Sequence, residues 1–221
     1  MIEHPAKFTD VLISEIGRRI PPGSRVLDPF AGTGRIHQLW NADTVGVEIE
    51  PEWASMHPKT VVGNALVLPF KDHSFDAIAT SPCYGNRMAD HHNARDGSKR
   101  MTYRHMLGRE LHPNNSGQMQ WGDKYRAFHA AAWVEARRVL RPGGLFVLNI
   151  SDHIRKGTRQ RVTAWHVHTL LKEGFELLSA EAIPTPRMKR GENAKARVGY
   201  ESVIVFEGAS RGPREGIDGS E

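Results

Sequence analysis

The sequence predicts a single α/β domain in which helices cover both faces of a mostly parallel sheet. Short apolar runs with strand character alternate along the chain with stretches whose apolar residues have helical spacing. The first predicted strand breaks into a glycine-containing loop and then a helix, as in a βα unit. The length of 221 residues suits one such domain and leaves little room for a second.

The predicted elements follow one another regularly. Helical spacing predicts a first helix over Ala6–Arg19, which Pro21-Pro22-Gly23 ends. Further helices are expected at Arg35–Trp40, directly after Pro51, at Lys124–Leu140 and at Arg159–Lys172. Strands are expected at Arg25–Asp28, Thr44–Ile49, Thr60–Val62, Phe75–Thr80, Leu145–Ile150, Phe175–Ile183 and Tyr200–Phe206.

One long segment, Gly85–Asp123, departs from this pattern. Its apolar periodicity gives way to Asn, His, Arg, Gly and Met over 39 residues, too many for a simple connection. We interpret it as a substrate-binding segment inserted into a domain that spans residues 1–207. Residues 208–221 hold Gly, Pro, Ser and charge without apolar spacing, which predicts a disordered tail.

Composition excludes several classes of protein. Cys83 is the single cysteine, so an internal disulfide and a cysteine-built zinc site are excluded. The histidines of the inserted segment have no paired carboxylate at ligand spacing, and we expect no metal site. No apolar run reaches about 18 residues, and Met1–Pro5 lacks the features of a signal peptide. We therefore expect a cytoplasmic protein with no membrane partner.

The positive charge is concentrated in two segments. Residues 1–84 hold seven Lys/Arg against ten Asp/Glu (net −3), residues 85–126 eight against four (net +4), and residues 187–199 five against one (net +4). Clustered cations favour a polyanionic partner such as nucleic acid, although one such loop alone is compatible with a solvated surface. The substrate-binding candidates are Arg87, Arg187, Lys189, Arg190 and Arg197.

Two motifs lie where predicted strands end. The first, Asp28-Pro29-Phe30-Ala31-Gly32-Thr33-Gly34, follows a buried strand and can let the backbone approach a ligand closely. It lacks the glycine spacing of a dinucleotide site and the Gly-Lys-Ser/Thr of a phosphate loop. The second is Ser81-Pro82-Cys83-Tyr84. Because parallel strands present their carboxyl ends at one edge of the sheet, the two motifs are expected to share one site.

In this order the two motifs resemble those of class I S-adenosylmethionine-dependent DNA amino-methyltransferases, which modify cytosine N4 or adenine N6. The resemblance covers roughly residues 4–87 and 124–206. It implies a single Rossmann-like class I methyltransferase domain with a mostly parallel seven-stranded sheet and an antiparallel last strand. It also implies S-adenosylmethionine as cofactor and DNA as substrate, and Ser81 at the first motif position favours cytosine N4.

The resemblance also implies roles at the methionine end of the cofactor. Asp28 would approach the amino group, and Gly32 and Gly34 would line the methionine. Phe30 would pack close by, and Lys7 would contact the cofactor carboxylate.

Two further polar residues are expected to hold the nucleoside. Glu48 ends the second strand, about 20 residues after the glycine loop, where a carboxylate can accept both ribose hydroxyls. Glu50, two residues on, could compete for that role. Asn64 follows the third strand, where the family often places an Asp or Asn against the adenine amine.

The second motif predicts the chemistry of the amine. The Ser81 hydroxyl or carbonyl and the Pro82 carbonyl would accept the amine hydrogens, draw the nitrogen toward sp³ geometry and stabilise developing positive charge. Tyr84 would stack on a base swung out of the helix. Cys83 stands where the family usually has a second proline. It is either a small substitute or the nucleophile of a cytosine C5 enzyme, and the absence of a Glu-Asn-Val tripeptide favours the substitute.

Other functions share part of this pattern. An RNA base N-methyltransferase uses similar Pro-aromatic loops, and the sequence does not separate RNA from DNA. The cationic segments disfavour a small-molecule methyltransferase. The complete second motif disfavours a non-catalytic cofactor-binding partner.

Overall fold

The computed structural model describes residues 9–85, 102–185 and 198–209. In these ranges the chain forms an α/β fold whose largest sheet has seven strands in the order β3-β2-β1-β4-β5-β9-β8. These strands are β1 (Arg25–Asp28), β2 (Asp43–Glu48), β3 (Thr60–Val62), β4 (Phe75–Thr80), β5 (Leu140–Ile150), β8 (Phe175–Pro184) and β9 (Tyr200–Gly208). The α-helices are α1 (Asp10–Gly17), α2 (Pro51–Ala54), α3 (Tyr103–Leu107), α4 (Asp123–Val139) and α5 (Val162–Lys172).

The direction of the strands confirms the predicted fold class. Strands β1 to β5 pair in parallel, whereas β9 pairs antiparallel with both β5 and β8. The order reverses between β1 and β4, and this switch point is where ligands of such sheets bind. Both sequence motifs begin there.

The sheet is buried on both faces, as a parallel sheet requires. One face packs on α4 and α5 through large side chains such as Trp133 and Phe146. The other face packs on α1 through Leu12 and Ile16. These two cores hold the ends of β1 and β4 rigidly against each other.

Several features of the fold differ from the sequence predictions. The helix predicted at Arg35–Trp40 is a short 3₁₀ helix, Arg35–Gln38. A hairpin of β6 (His153–Arg155) and β7 (Thr158–Gln160) precedes α5, so that helix begins at Val162 and not at Arg159. Strand β5 begins at Leu140, directly after α4, with a shift in its register against β4. Strand β9 continues to Gly208, so the first residue of the predicted tail belongs to the sheet, and residues 210–221 lie outside the described ranges.

Part of the inserted segment also has regular structure. It contains α3 and a short 3₁₀ helix, Ser116–Gln118. Tyr103 and Leu111 are buried and pack with Trp53 of α2. The described part of the insert therefore folds back on the domain. No helix within the described ranges is both long and apolar enough to cross a membrane.

Candidate active site

The two motifs meet at the switch point through a direct hydrogen bond. Thr80, the last residue of β4, donates from Oγ1 to Oδ1 of Asp28 at 2.6 Å, and the same oxygen accepts from the Phe30 backbone N at 3.0 Å. Asp28 is 1% exposed. Burial raises its pKa from 3.8 to about 7, against the opposing effect of these hydrogen bonds.

The glycine loop turns tightly away from Asp28. Gly32 and Gly34 have φ values of 53° and 80°, and a Cβ on Gly34 would lie 2.8 Å from His37 Cδ2. The Gly32 N–H donates to Glu48 Oε2 at 2.9 Å, and the Gly34 N–H donates to the Ala31 carbonyl at 2.9 Å. The positive φ values favour glycine at both positions, the packing of His37 leaves no room for a Cβ on Gly34, and the N–H groups of both glycines already have partners.

Glu48 lies beside this loop at the end of β2. Its Oε1 accepts from the Glu50 backbone N at 2.9 Å, so each carboxylate oxygen holds one N–H and retains a lone pair. Burial raises the pKa of Glu48 from 4.5 to about 7, and the nearby Glu50 adds to that increase.

Glu50 has a different environment, although it lies only two residues further on. Its side chain is fully buried, and Oε1 accepts from the His112 backbone N at 2.9 Å and from Asn115 Nδ2 at 2.8 Å. Its Oε2 lies 2.8 Å from Arg109 Nη2, as an ion pair without hydrogen-bond geometry. Glu50 therefore anchors the inserted segment, while Glu48 faces the glycine loop.

A pocket of about 570 Å³ opens between the ends of β2 and β3. Ile49, Pro51 and Val62 supply apolar walls, and Asn64 supplies an amide whose Oδ1 also accepts from the Leu66 N at 3.0 Å. Residues 109–112 of the inserted segment form one wall of the pocket. This wall was not predicted from the sequence, because its contacts with Glu50 link residues about 60 positions apart.

The second motif belongs to a buried polar cluster. Tyr84 OH donates to Glu201 Oε2 at 2.8 Å and lies 2.9 Å from Ser81 Oγ. Asn149 Nδ2 lies 2.6 Å from the same Glu201 oxygen and 3.1 Å from each of the two hydroxyls. Asn149 and Glu201, 1% and 7% exposed, were not identified from the sequence.

Cys83 lies in an apolar environment. Its side chain packs with Trp53, Tyr103 and Leu111, and its Sγ lies 3.5 Å from Tyr103 OH. Burial raises the pKa of the thiol above its usual value of 9.0. A protonated thiol is a poor nucleophile, which supports the interpretation of Cys83 as a packing substitute.

The unpredicted β6–β7 hairpin adds basic residues at the same edge of the sheet. Lys156 and Gly157, with φ values of 48° and 73°, form its two-residue turn. Arg159 fixes the base of the hairpin, donating to Asp152 Oδ2 at 2.7 Å and to Tyr200 OH at 2.8 Å. Three further cations, Arg155, Lys156 and Arg161, form no ion pair with any described residue.

Of the remaining predicted site residues, the structure describes Phe30 and Pro82. Phe30 packs on α4, with its ring stacked on His129 at a centroid distance of 5.7 Å. Pro82 is buried directly after Ser81. Six predicted residues lie outside the described ranges: Lys7, Arg87, Arg187, Lys189, Arg190 and Arg197.

This architecture is shared with proteins of known structure. An S-adenosylmethionine-dependent methyltransferase from Methanosarcina mazei matches with a TM-score of 0.58 and 13% identity, over 93% of this chain and 100% of that one. TrmN from Thermus thermophilus matches with a TM-score of 0.57 and 19% identity, over 92% of this chain and 50% of TrmN. The cyclase SpnF matches with a TM-score of 0.55 and 15% identity, over 90% of this chain and 81% of SpnF.

No family model and no curated protein sequence matches this chain. At these identities the structural matches establish the fold, which is that of the S-adenosylmethionine-dependent methyltransferases. The cyclase among them shows that this fold alone does not determine the reaction. The chemistry must therefore be argued from the site.

Proposed function

We propose that this protein is an S-adenosylmethionine-dependent methyltransferase that acts on an exocyclic amino group of a base in DNA, with cytosine N4 preferred to adenine N6. The observation that carries the proposal is the Ser81–Tyr84–Asn149–Glu201 cluster, which begins directly after Thr80, the hydrogen-bond partner of Asp28. The cluster presents the Ser81 hydroxyl oxygen and the backbone of the second motif at the edge of the sheet where ligands bind.

The residues at this edge suit the cofactor. The pocket beside Asn64 has the apolar walls and amide that an adenine needs, and Glu48 retains lone pairs for ribose hydroxyls. Asp28, at the start of the glycine loop, supplies a carboxylate for the methionine amino group. S-adenosylmethionine, when bound, supplies a methyl group on a positively charged sulfur.

The hydrogen positions in the cluster make Ser81 an acceptor. Tyr84 has one hydroxyl hydrogen, and Glu201 takes it, so the 2.9 Å contact requires Ser81 to donate to Tyr84. Asn149 Nδ2 donates to the Ser81 oxygen at 3.1 Å, which leaves that oxygen one lone pair for an amine N–H. Together with the carbonyl of Pro82, the Ser81 oxygen draws the planar amine toward the geometry that attacks a methyl group.

The same cluster offers a route for the proton that the methylated amine releases. As the N–H bond breaks, Ser81 accepts that proton and passes its own to Tyr84, which in turn passes its hydrogen to Glu201. Each hydroxyl oxygen gains one hydrogen as it loses one, and Glu201 ends protonated. The two N–H groups of Asn149 lie within hydrogen-bond distance of both hydroxyls and of the carboxylate, which they share.

The basic surfaces support a polyanionic substrate. The β6–β7 hairpin follows β5, and Arg159 links it to Tyr200, the neighbour of Glu201 in β9. Cations at the rim of the amine site suit phosphates that flank a flipped base. The sequence also carries a net charge of +4 in each of the segments 85–126 and 187–199, parts of which lie outside the described ranges.

The test is transfer of a radiolabelled methyl group from S-adenosylmethionine to duplex DNA, single-stranded DNA or tRNA. We expect incorporation into DNA by the wild type and none by Ser81→Ala combined with Tyr84→Ala, while both proteins bind the cofactor. Incorporation into tRNA alone would replace DNA with RNA as the substrate. Cofactor binding without any transfer would indicate a non-catalytic partner.

A further inference from the structure

The backbone of the second motif accepts hydrogen bonds from the first turns of α4 and from the residues directly before it. Tyr125 OH donates to the Cys83 carbonyl at 2.6 Å, and the Trp121 backbone N donates to the Gly85 carbonyl at 2.8 Å. These bonds are placed on either side of Tyr84. They therefore determine where the peptide units around Tyr84 point.

The Tyr125 hydroxyl is in turn the last donor in a buried series of hydrogen bonds that begins at Trp133, the donor chain. His166 Nε2 lies 2.9 Å from Tyr125 OH, and the Trp133 indole Nε1 donates to His166 Nδ1 at 3.0 Å. Tyr125, Trp133 and His166 are all fully buried.

The hydrogens that each group carries determine the direction of every hydrogen bond from Trp133 through His166 and Tyr125 to Cys83. A carbonyl only accepts, so the single hydroxyl hydrogen of Tyr125 belongs to the Cys83 bond, and His166 Nε2 must carry the hydrogen that Tyr125 accepts. An indole N–H only donates, so His166 Nδ1 must be unprotonated. Both requirements select the same neutral tautomer of His166. Its burial, with a smaller effect of His129, lowers its pKa well below 6.5 and keeps that form.

We propose that the donor chain Trp133–His166–Tyr125 holds the Cys83 carbonyl and thereby positions the amine-binding motif for methyl transfer. Tyr125, His166 and Trp133 are fully buried and act through the motif backbone, so they are positioning residues. Their role in transfer rests on the proposed function, whereas the anchor at the Cys83 carbonyl does not. A rigid motif is needed because both acceptors offered to the amine, Ser81 Oγ and the Pro82 carbonyl, lie within two residues of this anchor.

The anchor can be observed without any activity, since Cys83 is the only cysteine of the chain. Labelling cysteine with ¹³C at its carbonyl gives one NMR resonance, which moves upfield when its hydrogen bond is removed. We expect that shift in Tyr125→Phe and in His166→Leu. We expect none in Tyr103→Phe, a buried tyrosine that contacts the Cys83 thiol and makes no bond to its carbonyl. The ¹⁵N shifts of His166 should show a protonated Nε2 and an unprotonated Nδ1.

The kinetics of methyl transfer test whether the anchor positions the amine-binding motif. Tyr125→Phe should lower kcat for methyl transfer by about tenfold, equivalent to about 1.4 kcal/mol, with the Kd of S-adenosylmethionine and the KM of the nucleic acid unchanged. His166→Gln, which keeps one N–H donor and one acceptor, should recover part of the kcat that His166→Leu loses. Thermal unfolding of each variant separates this effect from loss of fold.

The possible results distinguish the anchor at the Cys83 carbonyl from its role in methyl transfer. An unchanged carbonyl resonance in Tyr125→Phe would overturn the anchor. A shifted resonance with an unchanged kcat would overturn the positioning role. If the wild type transfers no methyl group to any nucleic acid, the proposed function fails, and the carbonyl resonance still decides whether the donor chain holds the motif.

Discussion

Asp28→Asn should make the ligand-free protein more stable at high pH while it impairs the site. The pKa of Asp28 lies at about 7 and not at 3.8 because the carboxyl is buried. At about 1.36 kcal/mol per pKa unit, ionised Asp28 costs the folded state as much as about 4 kcal/mol at pH 8. Asparagine keeps an oxygen for Thr80 and Phe30 and carries no charge, so it removes that cost.

The sign of the pH dependence follows from the raised pKa. The folded state binds the Asp28 proton more tightly, so its contribution to stability is complete below about pH 4 and is lost as the pH rises through 7. Thermal unfolding between pH 4 and pH 8 should therefore show a gap between Asp28→Asn and wild type that widens with pH. The melting temperature should rise by about 2–4 °C for each kcal/mol by which the substitution stabilises the fold. Asp72→Asn, whose side chain is 65% exposed, serves as the control and should show no such gap.

The same substitution should weaken cofactor binding. A hydrogen bond to a charged group contributes about 1.5–3 kcal/mol, so calorimetry should show a Kd for S-adenosylmethionine about ten- to a hundredfold higher in Asp28→Asn. A variant that is less stable than wild type at pH 8, or one that binds the cofactor equally well, would refute the reasoning.

Three further predictions concern the substrate side. Tyr84→Ala should lower methyl transfer steeply and leave the Kd of S-adenosylmethionine nearly unchanged; a parallel loss of cofactor binding, measured by calorimetry, would contradict the division between the two motifs. Cys83→Ala should retain transfer within about tenfold, or about 1.4 kcal/mol, whereas complete loss or a covalent adduct with 5-fluorocytosine DNA would indicate attack at C5. Replacing Lys156 and Arg161 with Gln should reduce the slope of log K against log salt by about 0.9 for each phosphate of duplex DNA that the variant no longer neutralises. Neutralising Lys71 and Lys172, near the opposite edge of the sheet, should not change that slope.

The fold could be predicted largely from local signals. The strand before Asp28 and the strand before Ser81 are short apolar runs, and strand ends of a parallel sheet fall at a common edge whatever lies between them. The hydrogen bond between Thr80 and Asp28 brings the starts of the two motifs together, in agreement with the expectation that they lie at a common edge.

The parts of the site that could not be predicted from the sequence depend mainly on contacts between distant residues. Glu201 reaches Tyr84 only because β9 inserts antiparallel between β5 and β8, which no local pattern around Glu201 indicates. The choice between Glu48 and Glu50 depended on an insert whose contacts with Glu50 span about 60 residues. The β6–β7 hairpin did carry a local signal in Lys156-Gly157, which the helical spacing of the following residues obscured.

The central claim is that the Ser81–Tyr84 cluster accepts a base amino group for methylation. The most direct test is mass spectrometry of the nucleosides released from duplex DNA after incubation with the protein and S-adenosylmethionine. We predict N4-methyldeoxycytidine in the wild-type reaction and its absence with the Ser81→Ala, Tyr84→Ala double variant. A product that carries the methyl group on carbon 5 of cytosine, or equal product from wild type and double variant, would contradict the account.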